Sequence, residues 1–597
     1  MQQRTDRRTT HITRASRILV VILCVFTVFL LRLWQLQVVE GEKFSRLAKN
    51  NRIRTEKVPA PRGIIYDRNG IPLVKNVPAF DISVIPDEFP VEKGTLLAYV
   101  LSMSSEELKG KLEAGRRYPH KPVKVKINAS MEDVAKVEAR RLELPGVRVD
   151  VEVSRRYLHG STAAHILGYL GRLRSSQAGK KEYKHVPADA YVGQWGLEAK
   201  YDKYLRGTPG DRIFEVNALG QKIREVGVRP PEKGADLYLT IDLAVQKAAE
   251  NGFGGKAGAA VAIDPHSGEV LALVSRPSFD PNLFATGISS KKWNELLNDP
   301  QKPLYNRALQ SQYPPGSTFK IVVALGALEE EVVTPEEYVT CIGRIHLGRR
   351  AFRCWKRGGH GKVNLRKALV ESCDVYFYDM ALRLGIDSIA KYAKSLGLGS
   401  VPGLGLVRES SGIIPTKQWK LKKMNEQWYP GETLNASIGQ GFVSTSPFQM
   451  AQMIATLTNG GKVFKPSLVK DSTVEVLWET ELDDDLIAII KDALQGVVED
   501  DHGTARSVQS SLATIAGKTG TAQVSSLESW RAIKEDDKGL LEDHAWFVAF
   551  SPVDHPDIAI SVIVEHGGHG GSAAGPIAKA MVEAYRNKEA GTFSETR

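Results

Sequence analysis

Ser317 and Lys320 stand three residues apart in YPPGSTFK, residues 313–320. Pro314, Pro315 and Gly316 cannot continue a helix, whereas FKIVVALGALEE (319–330) is strongly helical, so the pair is expected at a helix N-terminus. There the unsatisfied N–H groups and the positive end of the helix dipole favour developing negative charge. Lys320, one turn on, shares a face with Ser317. A lysine buried beside a serine can take the hydroxyl proton and activate a weak nucleophile. Taken alone, such a pair is more simply an N-cap and a solvated charge.

The pair is not alone. Ser372-Cys373-Asp374 falls between two helical patterns, and Lys518-Thr519-Gly520-Thr521 falls on a predicted strand, IAGKTGTAQV (515–524). The elements that must carry these groups can be read around them. AGAAVAIDPHSGEVLALVS (257–275) is two apolar β-runs joined at Asp264-Pro265-His266-Ser267-Gly268, a hairpin pattern. HAWFVAFSPV (544–553) and DIAISVIVEH (557–566) read as strands, and GPIAKAMVEAYRN (575–587) as a last helix. Strands at both ends of this region with helices between them predict one antiparallel sheet completed by distant segments. Ahead of it, residues 40 to about 235 carry charge, short β-type runs and turns such as DRNG (67–70), which suits an extended α+β region with a loose core.

With 597 residues, 42% hydrophobic and 25% charged, the chain is globular and long enough for two or three domains. The net charge of +11 is modest, and no basic stripe interleaved with aromatics appears, which argues against nucleic acid. Arg4, Arg7, Arg8, Arg14 and Arg17 precede the apolar run ILVVILCVFTVFLL (18–31), which continues past Arg32. No small-residue cleavage site follows, so residues 18–38 are expected to be an uncleaved single-pass anchor with residues 1–17 in the cytoplasm and the bulk of the chain outside.

Besides Cys24 in that anchor, Cys341, Cys354 and Cys373 combine with His360 in a C-x12-C-x5-H-x12-C pattern. Three thiolates and an imidazole suit a tetrahedral structural zinc, but these spacings exceed those of a zinc ribbon. The pattern by itself leaves zinc, a Cys341–Cys354 disulfide and free thiols open.

A serine–lysine pair, then S-x-N, then K-T-G is the motif order of penicillin-binding proteins and serine β-lactamases, and here the second motif ends in Asp374. The chain resembles a class B penicillin-binding protein, nearest the penicillin-binding protein 2 branch of rod elongation. PRGIIYDRNG (61–70), WGLEAKYDKYLRGTPG (195–210), AIDPHSGEVLALVSRPSFDPN (262–282) and NASIGQGFVSTSPFQMA (435–451) carry the likeness over nearly the whole length. It implies an α+β architecture: the anchor, an elongated pedestal (39–235), and a transpeptidase domain (236–590) with helices flanking a five-stranded antiparallel sheet, then a tail at 591–597.

The activity implied is D,D-transpeptidation of peptidoglycan stem peptides, sensitive to β-lactams. Ser317 would be the nucleophile, Lys320 its base, Ser372 a proton relay and Lys518 an electrostatic anchor. Thr519, Gly520 and Thr521 would bind substrate, with the Ser317 and Thr521 N–H groups as oxyanion hole. Asp374 would stand in the substrate-binding place where the family usually has Asn, although an ionised carboxylate cannot donate the amide hydrogen bond; its other reading is an N-cap of the following helix. The resemblance also favours zinc on Cys341, Cys354, His360 and Cys373, since some members of the branch carry Asp or Cys at the first two positions and His and Cys at the last two. Such an ion would pin the loop bearing Ser372. No stretch resembles a sugar-polymerising domain, so glycan synthesis falls to a partner, by resemblance a membrane glycosyltransferase of the shape, elongation, division and sporulation group. A D,D-carboxypeptidase and a non-catalytic β-lactam sensor or scaffold are the alternatives. GETLN (431–435) superficially resembles a β-lactamase deacylation loop, one residue short in its Glu432-to-Asn435 spacing.

Overall fold

The computed structural model describes residues 2–589 apart from 117, 118, 120, 185, 188–189, 218–221, 286 and 524–541, and gives the backbone alone for 2–14, 46–51 and 588–589. The tail expected at 591–597 lies outside the described residues. The chain divides into two compact units, residues 1–62 with 206–234, and residues 63–205 with 235–597, so the range expected for the pedestal contributes to both.

In the first unit the helix Gln2–Trp34 runs on through a wider turn, Gln35–Val39. Within it Ala15–Val39, 25 residues of mean hydropathy 2.4, buries nothing against protein, and its length suffices to cross a bilayer. The same unit holds a three-stranded antiparallel sheet in the order Ile53–Val58, Gly210–Val216, Lys222–Arg229. Cross-strand charges suit these largely exposed strands: Asp211 accepts from Lys57 at 2.7 Å and from Arg229 at 2.6 Å.

The second unit begins with a long ribbon in which Pro72–Val84 pairs antiparallel with Val147–Tyr157 and Val123–Ala129. Its far end closes over a core of its own, built on Ile82, Val84, Leu97, Leu101, Leu108 and Val125. The other end joins the C-terminal part, where Asn282 exchanges two 2.9 Å hydrogen bonds with the Tyr157 backbone.

The C-terminal part is organised by a five-stranded antiparallel sheet: β1 Gly258–Ile263, β2 Val270–Arg276, β3 Ala516–Ala522, β4 His544–Ser551 and β5 Ile558–Val564. The spatial order is β2-β1-β5-β4-β3, so the hairpin predicted at 257–275 and the three late strands do complete one sheet. Alternate residues serve two cores. Val261, Trp546, Val548 and Ile563 face the core that holds the helix Pro447–Thr458. Ala260, Phe547, Ile560 and Val562 face the one that holds the helices Leu243–Gly252 and Gly575–Glu589. Burial on both faces explains why β1, β2, β4 and β5 read as largely apolar runs. The helix Lys320–Glu329 is buried from Lys320 through Leu328, which accounts for its all-round apolar sequence.

Candidate active site and metal cluster

Ser317 lies in a short 3-10 turn, Gly316–Phe319, that feeds directly into the helix Lys320–Glu329, and the Lys320 amide donates to the Ser317 carbonyl. In a 3-10 turn side chains at i and i+3 eclipse, which stacks Lys320 over Ser317 more closely than an α-helical turn would. Gly316 turns the chain with φ of 58° and donates to the Gly439 carbonyl at 3.1 Å. A Cβ on Gly316 would stand 2.5 Å from the Thr521 carbonyl oxygen, so backbone of the first motif touches backbone of the third. Trp546 donates its indole N–H to the Pro314 carbonyl at 3.0 Å, fixing the approach to the turn from β4. Ser317 is half-buried, and among the described residues its hydroxyl has no hydrogen-bond partner.

The fully buried Lys320 ammonium points instead at the second motif. Its Nζ donates to Asp374 Oδ1 at 2.6 Å, to the Ser372 carbonyl at 2.9 Å and to Ser372 Oγ at 3.1 Å. Ser372 itself holds a left-handed backbone, φ of 57°, which costs a non-glycine residue roughly 1–3 kcal/mol. The contacts on its carbonyl offset that cost: Lys320 on one side and the Trp355 indole N–H, at 3.0 Å, on the other. Asp374 is not the N-cap of its helix. Cys373 occupies that position and Asp374 is the first residue of Asp374–Leu384. Both carboxylate oxygens are engaged within the protein, since Oδ2 accepts from the Trp355 backbone N–H at 2.8 Å.

Lys518, on β3, is wholly buried. Burial first, and then repulsion from Lys320, push its pKa well below the ordinary lysine value, against the opposing pull of Asp374. Its ammonium donates to the Thr519 carbonyl at 3.2 Å. Thr519 is nearly buried and pairs its hydroxyl with that of Thr504 at 2.8 Å, while Gln440 donates to the Thr521 carbonyl at 3.2 Å. Gly520 is packed without slack, as a Cβ there would meet the Pro315 carbonyl and the Thr318 methyl, each at 2.9 Å.

Cys341, Cys354, His360 and Cys373 form one buried cluster with donor atoms all within 4.8 Å of one another, and the three cysteines are free thiols. Strand pairing of Val339–Cys341 with Gly361–Val363 brings Cys341 beside His360, and Cys354 leaves the neighbouring hairpin Arg344–Leu347/Arg350–Arg353 with its N–H on the Gly343 carbonyl. His360 Nδ1 lies 3.7 Å from Cys341 Sγ and 3.5 Å from Cys354 Sγ. A tetrahedral ion bonded at about 2.3 Å to sulfur and 2.0–2.1 Å to nitrogen sets neighbouring donors roughly 3.5–3.8 Å apart. The cluster therefore fits a metal ion. One residue after Cys354, Trp355 supplies both N–H groups that hold Ser372 and Asp374.

Sequence reasoning missed three supports of this site. Trp355 reaches it through its backbone N–H, on Asp374, and its indole N–H, on Ser372, and belongs to none of the motifs. Glu565, at the end of β5, accepts from the Tyr313 hydroxyl and from Arg307 Nε at 3.0 Å, anchoring the segment that leads into Ser317. Burial works against that carboxylate, but the bonds from Tyr313 and Arg307 outweigh it and hold its pKa below the ordinary glutamate value. Thr504, in a turn after the helix Asp484–Glu499, carries no flanking pattern at all. The GETLN stretch has a structural explanation: Glu432 ties the buried Lys420 and the Tyr429 N–H, closing the start of the helix Pro430–Ser437.

Comparison with known proteins follows the same divisions. Residues 258–583 match the penicillin binding protein transpeptidase domain, and residues 57–239 the penicillin-binding protein dimerisation domain. Over 580 residues the chain is 38% identical to the peptidoglycan D,D-transpeptidase MrdA of Acinetobacter baumannii, spanning 93% of this chain and 84% of that one. Among solved structures it resembles the PBP2 of a PBP2–MreC complex from Helicobacter pylori, with a TM-score of 0.77, 31% identity and coverage of 91% of this chain and 99% of that one. It also resembles a chain from a peptidoglycan synthase complex that coordinates polymerization and crosslinking, with a TM-score of 0.72, 31% identity and coverage of 98% and 99%.

Proposed function

We propose roles for the residues of a chain that belongs to the class B penicillin-binding proteins and is a peptidoglycan D,D-transpeptidase of the elongation machinery. Ser317 Oγ attacks the carbonyl carbon of the penultimate D-alanine of a stem peptide, and its proton passes to the lone pair of Lys320, which acts from its neutral amine form once the resting ammonium has released one proton. Collapse of the tetrahedral adduct breaks the C–N bond. The departing terminal D-alanine takes a proton through Ser372, leaving an ester on Ser317. An amine from a neighbouring strand then attacks that ester, gives up a proton by the reverse route, and the new amide is the cross-link. The Ser317 and Thr521 N–H groups stabilise the oxyanion, each such donor supplying about 3–4 kcal/mol. Thr519 binds the terminal carboxylate and Lys518 sets the field of the site.

The observation that carries these roles is convergence. Lys320 bonds Ser372 Oγ and Asp374, while Gly316, next to Ser317, packs on Thr521, so three motifs separated by up to two hundred residues in sequence meet around one half-exposed hydroxyl. Asp374 receives a different role from the substrate contact expected of it. With both oxygens accepting from Lys320 and Trp355, it is the positioning residue of Lys320. The test is covalent labelling of the full-length protein by a fluorescent penicillin, with Ser317→Ala alongside. A stable adduct lost in the variant is the expected result; rapid release with penicillin turnover would overturn it.

For the cluster we propose zinc, which three thiolates and one imidazole favour over harder cations. Bound there by Cys341, Cys354, His360 and Cys373, it would supply structural cross-linking only. The protein's own residues do the positioning, with Trp355 passing from the cluster to Ser372 and Asp374. We also propose a single-pass placement with the arginine-rich N-terminus in the cytoplasm, supported by the apolar helix and Arg4, Arg7 and Arg8 ahead of it. A glycan-polymerising membrane partner and an MreC-type partner are proposed on the likeness to the two solved complexes.

A further inference from the structure

Thr504 belongs to none of the three motifs, yet its hydroxyl lies 2.8 Å from that of Thr519, its single hydrogen-bond partner among the described residues. The turn that carries it is fixed from several directions. Gly503 donates to the Asp500 carbonyl and Ala505 to the Val497 carbonyl, both at 2.9 Å. Gly571 approaches so closely that a Cβ there would stand 2.4 Å from the Thr504 carbonyl oxygen, and Ser507 donates to the Gly571 carbonyl at 2.8 Å. Ala505 is entirely buried. The Thr504 hydroxyl is thus held at Thr519 by backbone that has no room to drift.

Two hydroxyls that share one hydrogen bond have two proton arrangements. If Thr519 donates to Thr504, it faces a substrate with lone pairs alone and repels an anion. If Thr504 donates to Thr519, the Thr519 proton is released to point outward, and the chain of two bonds in one direction polarises it further. An anionic acceptor selects the second arrangement. We infer that Thr504 is a positioning residue for substrate recognition: it donates to Thr519 Oγ1 so that Thr519 presents its proton to the terminal carboxylate of the stem peptide. The inference rests on the reading of Thr519 as the carboxylate-binding residue.

The experiment uses the full-length protein in detergent and two acylating probes, benzylpenicillin and its methyl ester, which lacks the carboxylate. Intact-protein mass spectrometry follows the acylation of Ser317 for wild type, Thr504→Val, Thr504→Ala, Thr504→Ser and Thr519→Val. The expected result is a loss of about ten-fold in the second-order constant for benzylpenicillin in Thr504→Val, the scale of a hydrogen bond to a charged group. The methyl ester should be unaffected and Thr504→Ser should restore the rate. An equal loss on both probes in the Val and Ala variants, or no loss on either, would overturn the inference. If Thr519→Val discriminates between the probes and Thr504→Val does not, only the role of Thr504 falls. If Thr519→Val does not discriminate either, the underlying reading of Thr519 falls with it.

Discussion

The Lys320 ammonium and the Asp374 carboxylate meet at 2.6 Å where the lysine has no solvent exposure, and the second carboxylate oxygen is taken by the Trp355 N–H at 2.8 Å. One carboxylate thus serves two donors from different parts of the chain. Asparagine offers one acceptor oxygen for the same two donors, so Asp374→Asn must abandon either Lys320 or Trp355. Asp374→Ala abandons both and strands a buried cation. We expect the alanine variant to lose roughly 3–5 kcal/mol of stability and the asparagine variant less than half of that. Thermal unfolding read beside the rate of fluorescent-penicillin labelling checks this; equal melting of the two variants would contradict it.

Gly316→Ala should abolish labelling. The left-handed backbone alone costs an alanine about 1–2 kcal/mol. The added methyl would also lie 2.5 Å from the Thr521 carbonyl, on β3, where it has no flexible side chain to push aside. Either the turn or the strand must shift, and both carry proposed oxyanion donors. Labelling kinetics with a folded variant, verified by circular dichroism, give the answer.

Removing metal should loosen the loop that holds Ser372. We expect chelation to lower the melting temperature and slow labelling together, and zinc to restore both. His360→Ala should weaken zinc binding by more than the roughly 100-fold that loss of an outer-shell partner costs. Metal content by mass spectrometry and competition with a zinc dye measure it.

His165 makes the protein acid-sensitive away from the active site. It is fully buried, and this burial lowers its pKa from 6.5 to about 4, opposed by the Nε2–H bond to the Pro303 carbonyl and reinforced by Arg307 and Arg276. A histidine held neutral in the fold takes its proton only on unfolding, so its contribution is intact above pH 6.5 and is lost as pH falls toward 4. The loss by the lower end is about 3 kcal/mol. In His165→Gln the fall in melting temperature between pH 7 and 5 should be shallower than in wild type.

Much of this site was legible in one sequence because its chemistry is local. Ser317 with Lys320, Ser372 with Asp374 and Lys518 with Thr519 are each written within four residues, and the turn and strand signals around them gave their settings. The hairpin at 257–275 and the strands β4 and β5 were equally plain, since doubly buried strands are largely apolar runs. What escaped is what depends on pairing across distance. Trp355 holds Asp374 with its backbone N–H and Ser372 with its indole N–H from outside any motif, and Glu565 meets Tyr313 across 252 positions. Asp374 reads in sequence as a substrate contact, with a helix cap as the other reading, because its motif position and the apolar helix after it are both local; the lysine takes the carboxylate because a buried ammonium needs a counter-charge more than a helix end needs a cap.

The order of the strands has a consequence for how the protein comes into being. β5 is the last strand to be synthesised and it occupies the middle of the sheet, between β1 and β4. Until it emerges, the early hairpin has no neighbour to join, and the strand bearing Lys518 stands with β4 as a detached pair. The turn that carries Ser317 is made more than two hundred residues earlier and waits for that sheet. A nascent chain is therefore without catalysis until β5 is available, and a truncation just short of residue 558 should be as inert as one that removes the nucleophile.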